Sequence, residues 1–320
     1  MTPKEVSQAE ERGPGRKVIR WLAYLLSILA TAWVIVAWWD HWPQVAARVL
    51  AGQPHWLLAG LVSATGSAVA AWLAYLILVR GLVAAPIGIA RLFNFYFVSQ
   101  LLKHLPGRVW GIGYQAVLGR EEGGLMRWVG VNLVHMAAAT FWALLVAFAL
   151  LSTGLSSYLV PVGIIAAGTV VFLAGILSAS RLQAWLSRRS HKALVAVVNI
   201  PIGRVGVRGW VLLALALMLA NLLQHASWVF YAEGLGVAGA RDVLMMSAAY
   251  MLAWFIGYVA LLTPSGLGVR ELAFAWLASG HDPGLVALMM VVGRTSFLSV
   301  DLLLGATCLL TQGGRDISKA

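Results

Sequence analysis

Four charged side chains are placed where charge is costly. Arg270 and Glu271 follow directly on the turn Pro264-Ser265-Gly266-Leu267-Gly268, and Arg294 and Asp301 stand inside the apolar run Leu285–Leu310. An ionisable group at the middle of a membrane helix costs about 2.5–3.5 kcal/mol on insertion scales, so it faces a cavity or a partner. Arg294 is suited to receive an anionic headgroup. Asp301, two turns further along the same helical face, would either balance that charge or form with Arg294 an internal salt bridge that fixes packing. Adjacent helical residues point about 100° apart, so one of Arg270 and Glu271 can face a cavity while the other meets a partner. A half-helix starting near Val269 with its N-terminus in the cavity would add free N–H groups that favour an anion.

A second set resembles the first in kind. Lys103, His104 and Arg108 bracket Pro106 and Gly107. Either these cations help to bind an anionic substrate as the first set would, Lys103 and Arg108 among them, or they only mark the interfacial ends of short helices, Lys103 snorkelling on its long stem. Neutral polar residues recur at helical spacing: Asn132 with His135, and Asn221 with Gln224 and His225. Either they line one face of a wet path or they are interhelical hydrogen bonds. Tryptophans near the ends of apolar runs, such as Trp56, Trp128 and Trp210, read as an interfacial belt.

Enzymatic signatures are hard to find. The chain contains no His-Glu-x-x-His, no Cys/His metal spacing, no Gly-x-Ser-x-Gly and no phosphate loop. No metal, no cofactor and no catalytic residue are expected. The single cysteine, Cys308, excludes an internal disulfide. An intramembrane enzyme acting on lipid headgroups would need Glu271 or Asp301 as acid or base with His135 or His225 assisting, and these are scattered along the chain.

The elements that must hold these residues follow from composition. The 320 residues are 61% hydrophobic and 11% charged, against about a quarter charged in soluble domains. A soluble enzyme and a nucleic-acid binder are both poor fits. About 20 apolar residues cross the hydrocarbon. Runs of that length are Val18–Trp39 (read as an uncleaved anchor), Leu57–Val79, Trp128–Leu151, Tyr158–Ala179, Trp210–Tyr231 and Leu285–Leu310. Two regions differ. Leu92–Leu102 is short and is followed, after the Pro106-Gly107 break, by Val109–Gly119; Val243–Thr263 breaks at Pro264–Gly268 and resumes as Leu272–Ser279. Both read as re-entrant hairpins, near 92–119 and 243–280, although Val243–Thr263 is long enough to span alone. Broken backbone at that depth is tolerated only where protein or a wet cavity satisfies it.

Six spans plus two hairpins place both termini in the cytoplasm. The cytoplasmic side then carries 19 of the 23 Lys and Arg residues, leaving Arg48, Arg241 and Arg270 outside and Arg294 within the membrane. That asymmetry follows the positive-inside rule and accounts for much of the +11 net charge without nucleic acid. The predicted fold is an all-α polytopic membrane protein organised as an inverted repeat. Residues 1–17 form a cytoplasmic tail, 18–151 the first repeat, 152–310 the second, and 311–320 a second cytoplasmic tail. Span, span, hairpin, span in each half makes an odd number of crossings, so the copies are inverted and the hairpins meet near the midplane. Broken segments at matching positions of two halves point to a transporter's substrate site.

The two breaks also carry a family resemblance. Leu262-Thr263-Pro264-Ser265-Gly266-Leu267-Gly268-Val269-Arg270-Glu271 resembles the Pro-Gly-Gly-x-Gly-x-Arg-Glu signature of the lysylphosphatidylglycerol synthase transmembrane, or flippase-like domain, family, with Ser265 in place of a glycine. Gln100–Arg108 is similar to that family's earlier Pro-Gly-Arg segment. The likeness runs from the first span to the last and covers the membrane domain alone, without the soluble aminoacyl-transfer domain of the synthases. It implies a bacterial inner-membrane protein that moves a lipid between leaflets. By carry-over, Pro264, Gly266, Gly268, Arg270 and Glu271 belong to the site, with Pro106, Gly107 and Arg108 from the weaker motif. Members of the family handle aminoacylated phospholipids, polyprenyl-linked sugars and hopanoids, so the lipid stays open. The expected partners are the lipid itself and a lipid-synthesising enzyme, the latter also serving the alternative of a non-transporting scaffold.

Overall fold

The computed structural model describes residues 36, 42–83, 86–102, 111, 113–115, 124–153, 159–189, 202–237, 239–259 and 268–317. Within them the chain is helical throughout and contains no strand. The helices are α1 (Trp42–Leu50), α2 (Pro54–Leu82), α3 (Ile89–Leu102), α4 (Leu125–Ser152), α5 (Leu159–Arg189), α6 (Gly206–Gly234), α7 (Ala240–Val259), α8 (Val269–Leu277) and α9 (Pro283–Ile317). A single 3-10 turn, Ile202–Val205, leads into α6.

Six segments are long and apolar enough to cross a membrane: Pro54–Leu82, Met126–Ser152, Leu159–Ile176, Ile202–Gly234, Arg241–Val259 and Pro283–Leu309. Five coincide with runs expected from hydropathy. The sixth, Arg241–Val259, corresponds to the expected first arm of the second hairpin, and its 20-residue helix rises about 30 Å. The expected span Val18–Trp39 lies outside the described residues, apart from residue 36. Three of the described helices, α1, α3 and α8, are too short to cross, and α3 and α8 are the two that fall in the expected hairpins. Fourteen residues of α3 rise about 21 Å and nine of α8 about 14 Å, against roughly 30 Å of hydrocarbon.

The centre of the bundle is an antiparallel pair, α2 with α6. Gln53 N–H donates to Gly234 O at one end, Ser63 Oγ donates to Leu223 O at 2.8 Å further along, and Gly81 meets Val205 at the other end. Small residues set the approach: a Cβ on Gly60 would fall 2.6 Å from the Tyr231 ring. Lipid offers no hydrophobic drive between helices, so such close backbone packing carries the association.

The remaining helices pack around that pair. The short helix α3 packs on α9, and α7 packs on α4; α8 lies along α7. Gly305 of α9 sits against Phe97 O and the Leu101 side chain. Two apolar cores result, one around Tyr75, Phe97, Trp128 and Trp142, the other around Trp228, Tyr250, Phe274 and Met289. Trp128 and Trp210, expected in an interfacial belt, are instead core residues at 0% and 5% exposure. Each lies near a helix start, but the neighbouring helices cover it.

Candidate functional site

The second break ends on glycine for a backbone reason. Gly268 has φ 80°, in the left-handed region where a side chain is strained, and it caps α8. Its N–H donates to Glu271 Oε2 at 2.8 Å, while Leu272 N–H donates to Gly268 O at 2.9 Å, the first bond of the helix. A glutamate three residues into a helix that reaches back to the cap is the carboxylate half of a capping box, and the helix dipole favours its charge there.

The other oxygen of the same carboxylate faces α9. Arg294 Nη1 lies 3.2 Å from Glu271 Oε1, with the Arg294 side chain 31% and the Glu271 side chain 12% exposed. Arg294 thus meets Glu271, 23 positions away in sequence, and not simply the Asp301 that shares its helix face. Glu271 ties three things together: the end of the break, the start of α8, and α9.

Arg270 turns the other way. It is 8% exposed, and its guanidinium carbon stands 5.9 Å from the centre of the Tyr250 ring, within cation–π range. Tyr250 is the hub of an aromatic group: Trp228 at 4.9 Å, Phe274 edge-on at 5.3 Å and Phe297 stacked at 6.4 Å. Gly257 of α7 lets this happen, since a Cβ there would stand 3.1 Å from Arg270 Cβ. Gly293 does the same on α9, where a Cβ would come within 2.7 Å of both the Trp228 and Tyr250 rings. Two glycines therefore bring Arg270 and Arg294, with Glu271, onto one end of α8.

Asp301 belongs to a different neighbourhood. It is 6% exposed on the part of α9 that packs against α3, within electrostatic reach of Tyr96. Tyr96 stands 5.0 Å from Tyr75 and 5.7 Å from His135, ring to ring. The expected site residues thus divide. Gly268, Arg270, Glu271 and Arg294 come together, and Asp301 faces the first short helix. Lys103, Pro106, Gly107, Arg108, Pro264 and Gly266 lie outside the described residues.

The first half holds a polar bolt that sequence reasoning missed. Gln115 is 1% exposed and fully engaged. Its Oε1 accepts from Tyr75 Oη at 2.7 Å and from Asn132 Nδ2 at 2.8 Å; its Nε2 donates to Ser99 Oγ at 2.6 Å and to Phe95 O at 3.2 Å. Gly111 sits so close that a Cβ would come within 2.6 Å of Ser99 O. Residue 111 is thus beside 99, and 115 beside 95 and 99. The signal was present: Gln115 is the one amide in the run Val109–Gly119, and an amide in an apolar arm needs partners.

The other neutral polar residues mostly join helices. His135 Nε2 meets Ala71 O at 3.1 Å and His225 Nδ1 meets Ser247 Oγ at 2.7 Å, while Asn221 Nδ2 donates within its own helix to Leu217 O. No group of three or more His, Cys, Asp or Glu side chains that could hold a metal ion occurs among the described residues. What the arrangement offers chemically is charge: two guanidiniums and one carboxylate at a broken-helix end, among apolar helices. Comparison of the chain with protein-family models, curated proteins and solved structures returns no match.

Proposed function

We propose that this protein is a lipid translocase that carries an anionic, aminoacylated or polyprenyl-linked lipid between leaflets of the bacterial inner membrane. The observation that carries the reading is the cluster at the start of α8, where Arg294, Arg270 and Glu271 share one end of a helix too short to span. An unpaired headgroup charge is prohibitively costly in hydrocarbon. A guanidinium that is partly open, as Arg294 is, can replace the lost hydration of a phosphate with bidentate hydrogen bonds. Lipid tails would stay in the bilayer, and no covalent chemistry is required of the protein.

The helix pairing supports an inverted repeat beneath this function. In that reading α2, α3 and α4 correspond to α6, α7 and α9. The α2–α6 pair then lies on the pseudo-two-fold axis, and α3 on α9 mirrors α7 on α4. The short α3 with its returning segment, and α7 with α8, would be the two re-entrant hairpins, entering from opposite faces. The Tyr75–Tyr96 and Trp228–Tyr250 ring pairs, at 5.0 and 4.9 Å, occupy matching places in the two halves. On this topology both termini are cytoplasmic.

Reconstitution tests the proposal. Vesicles containing the full chain and a fluorescent phospholipid are challenged with a membrane-impermeant quencher. Acceleration over protein-free vesicles, lost in Arg294→Ala and Arg270→Ala and partly kept in Arg294→Lys, is the expected result. No acceleration across anionic and aminoacylated lipids would overturn it.

A further inference from the structure

Three arginines gather at the end of the α2–α6 pair where Gly81 meets the 3-10 turn before α6. A Cβ on Gly81 would stand 2.7 Å from Val205 Cγ2 and 3.1 Å from Val205 Cα. That approach brings Arg80, the neighbour of Gly81, beside Arg204, the neighbour of Val205, with their Cα atoms no more than about 12 Å apart. Arg208 follows in the first turn of α6. All three side chains are exposed, and none has an ion pair or a hydrogen bond with a described residue.

The fold gains nothing from this grouping. Like charges at such spacing repel, and Arg204 and Arg208 stand at the start of α6, the end of a helix that disfavours cations. The positive-inside rule asks for positive charge on one side of the membrane, not for three cations to converge. An anion from outside the chain would relieve both the repulsion and the mismatch with the dipole.

The surface beside the arginines selects the kind of anion. Counting by three and four from Arg208 along α6 gives Val211, Leu215 and Leu219, which share its face. They are 38%, 51% and 48% exposed. From Arg208 to Leu219 the helix rises about 16 Å, close to the hydrocarbon depth of one leaflet. On α2, Leu73 lies two turns from Arg80 on the same face and is 41% exposed. Arg80 and Arg208 thus each head open apolar surface that an acyl chain can follow. A soluble phosphate or an acidic protein segment would use the charges and leave that surface bare.

We infer that this end of the bundle binds a lipid with two phosphodiester groups, of the cardiolipin type, from the leaflet at that end. Basic pockets between membrane helices suit such headgroups. Three guanidiniums around one phosphodiester leave two positive charges without a counterpart, and two phosphodiesters leave one. Each arginine fork can pair with phosphate oxygens two bonds at a time, which orients the headgroup. The inference does not depend on the translocase reading. Its residues lie on α2, α6 and the turn before α6, away from the Arg294 cluster, and its test measures binding without movement.

Native mass spectrometry of the full chain released from phosphatidylcholine nanodiscs provides that test. The nanodiscs contain cardiolipin and phosphatidylglycerol at equal total phosphate, so the available charge is matched. Retained cardiolipin is expected to exceed retained phosphatidylglycerol about fivefold, as one further cation–phosphate contact gives. Arg80→Gln, Arg204→Gln and Arg208→Gln should each lower that ratio by about two- to fivefold, and the triple variant should bring it to about one. Arg48→Gln removes the same charge from α1 and should leave the ratio unchanged. The deacylated cardiolipin headgroup, added in large excess, should not displace the lipid, because it lacks the chains. Three results would overturn the inference: equal retention of the two lipids by the unaltered protein, a ratio lowered as much by Arg48→Gln as by the three site variants, or displacement by the soluble headgroup.

Discussion

Replacing Arg294 by leucine isolates the contact on which the charged site turns. At the observed 3.2 Å, two unit charges attract by about 5 kcal/mol at an effective dielectric near 20. Desolvation offsets much of this, because the Glu271 side chain is 12% exposed, while Arg294 at 31% retains some hydration. A net loss of about 1–3 kcal/mol is expected, between the values for surface pairs and fully buried ones. Glu271→Leu should cost more, by roughly 0.5–2 kcal/mol, since it also removes the acceptor of the Gly268 N–H. The double mutant should be less destabilised than the sum, by about 1–2 kcal/mol, because neither charge is then left behind. Reversible denaturant unfolding in detergent reads all four corners of the cycle. Additive losses, within about 0.3 kcal/mol, would refute the coupling and with it the view that Glu271 holds α8 to α9. Lipid movement measured on the same proteins separates structure from function: a stable double mutant that still moves lipid would remove Arg294 from the headgroup site.

Gln115→Leu should destabilise by about 2–4 kcal/mol, since it strips partners from Tyr75, Asn132 and Ser99 at once; thermal unfolding in detergent measures it, and Gln115→Glu should recover less than half. Gly111→Ala should be severe for its size, because the added methyl meets backbone at Ser99 O and no rotamer relieves it. Gly293→Ala should cost about 1–3 kcal/mol and displace Arg294, which a reduced rate of lipid movement at unchanged expression would register. Cysteines placed at Arg48 and Arg204, in a Cys308→Ala background, should react with an impermeant thiol reagent from opposite faces of the membrane. Labelling of both from one side would reject the topology.

Hydropathy alone determined that the chain is a helical membrane protein, and it located five of the six segments able to span, because burying backbone in lipid leaves few alternatives to a long apolar helix. The break before α8 was legible for a local reason too. Gly268 in the left-handed region and Glu271 reaching back to it act within four residues, so proline, glycine and glutamate at that spacing announce a helix start. The charges of the site were visible as expensive residues in apolar surroundings.

Their partners were not visible. Hydrophobic periodicity says which residues share a helix face, and by that rule Arg294 belonged with Asp301. Tertiary packing decided otherwise, turning Arg294 to Glu271 across two helices and placing Asp301 beside the first short helix near Tyr96. Likewise Trp128 and Trp210 sit where an interfacial belt would put them, yet neighbouring helices enclose them. Gln115 gathers Tyr75 from 40 positions away and Asn132 from 17, pairings that no local spacing encodes. The physical reason is common to all of these. In a bundle where nearly every helix is apolar all round, sequence pattern does not say which face meets which neighbour. Close packing at glycines such as Gly60, Gly257 and Gly293 decides that, and the polar contacts follow from the packing.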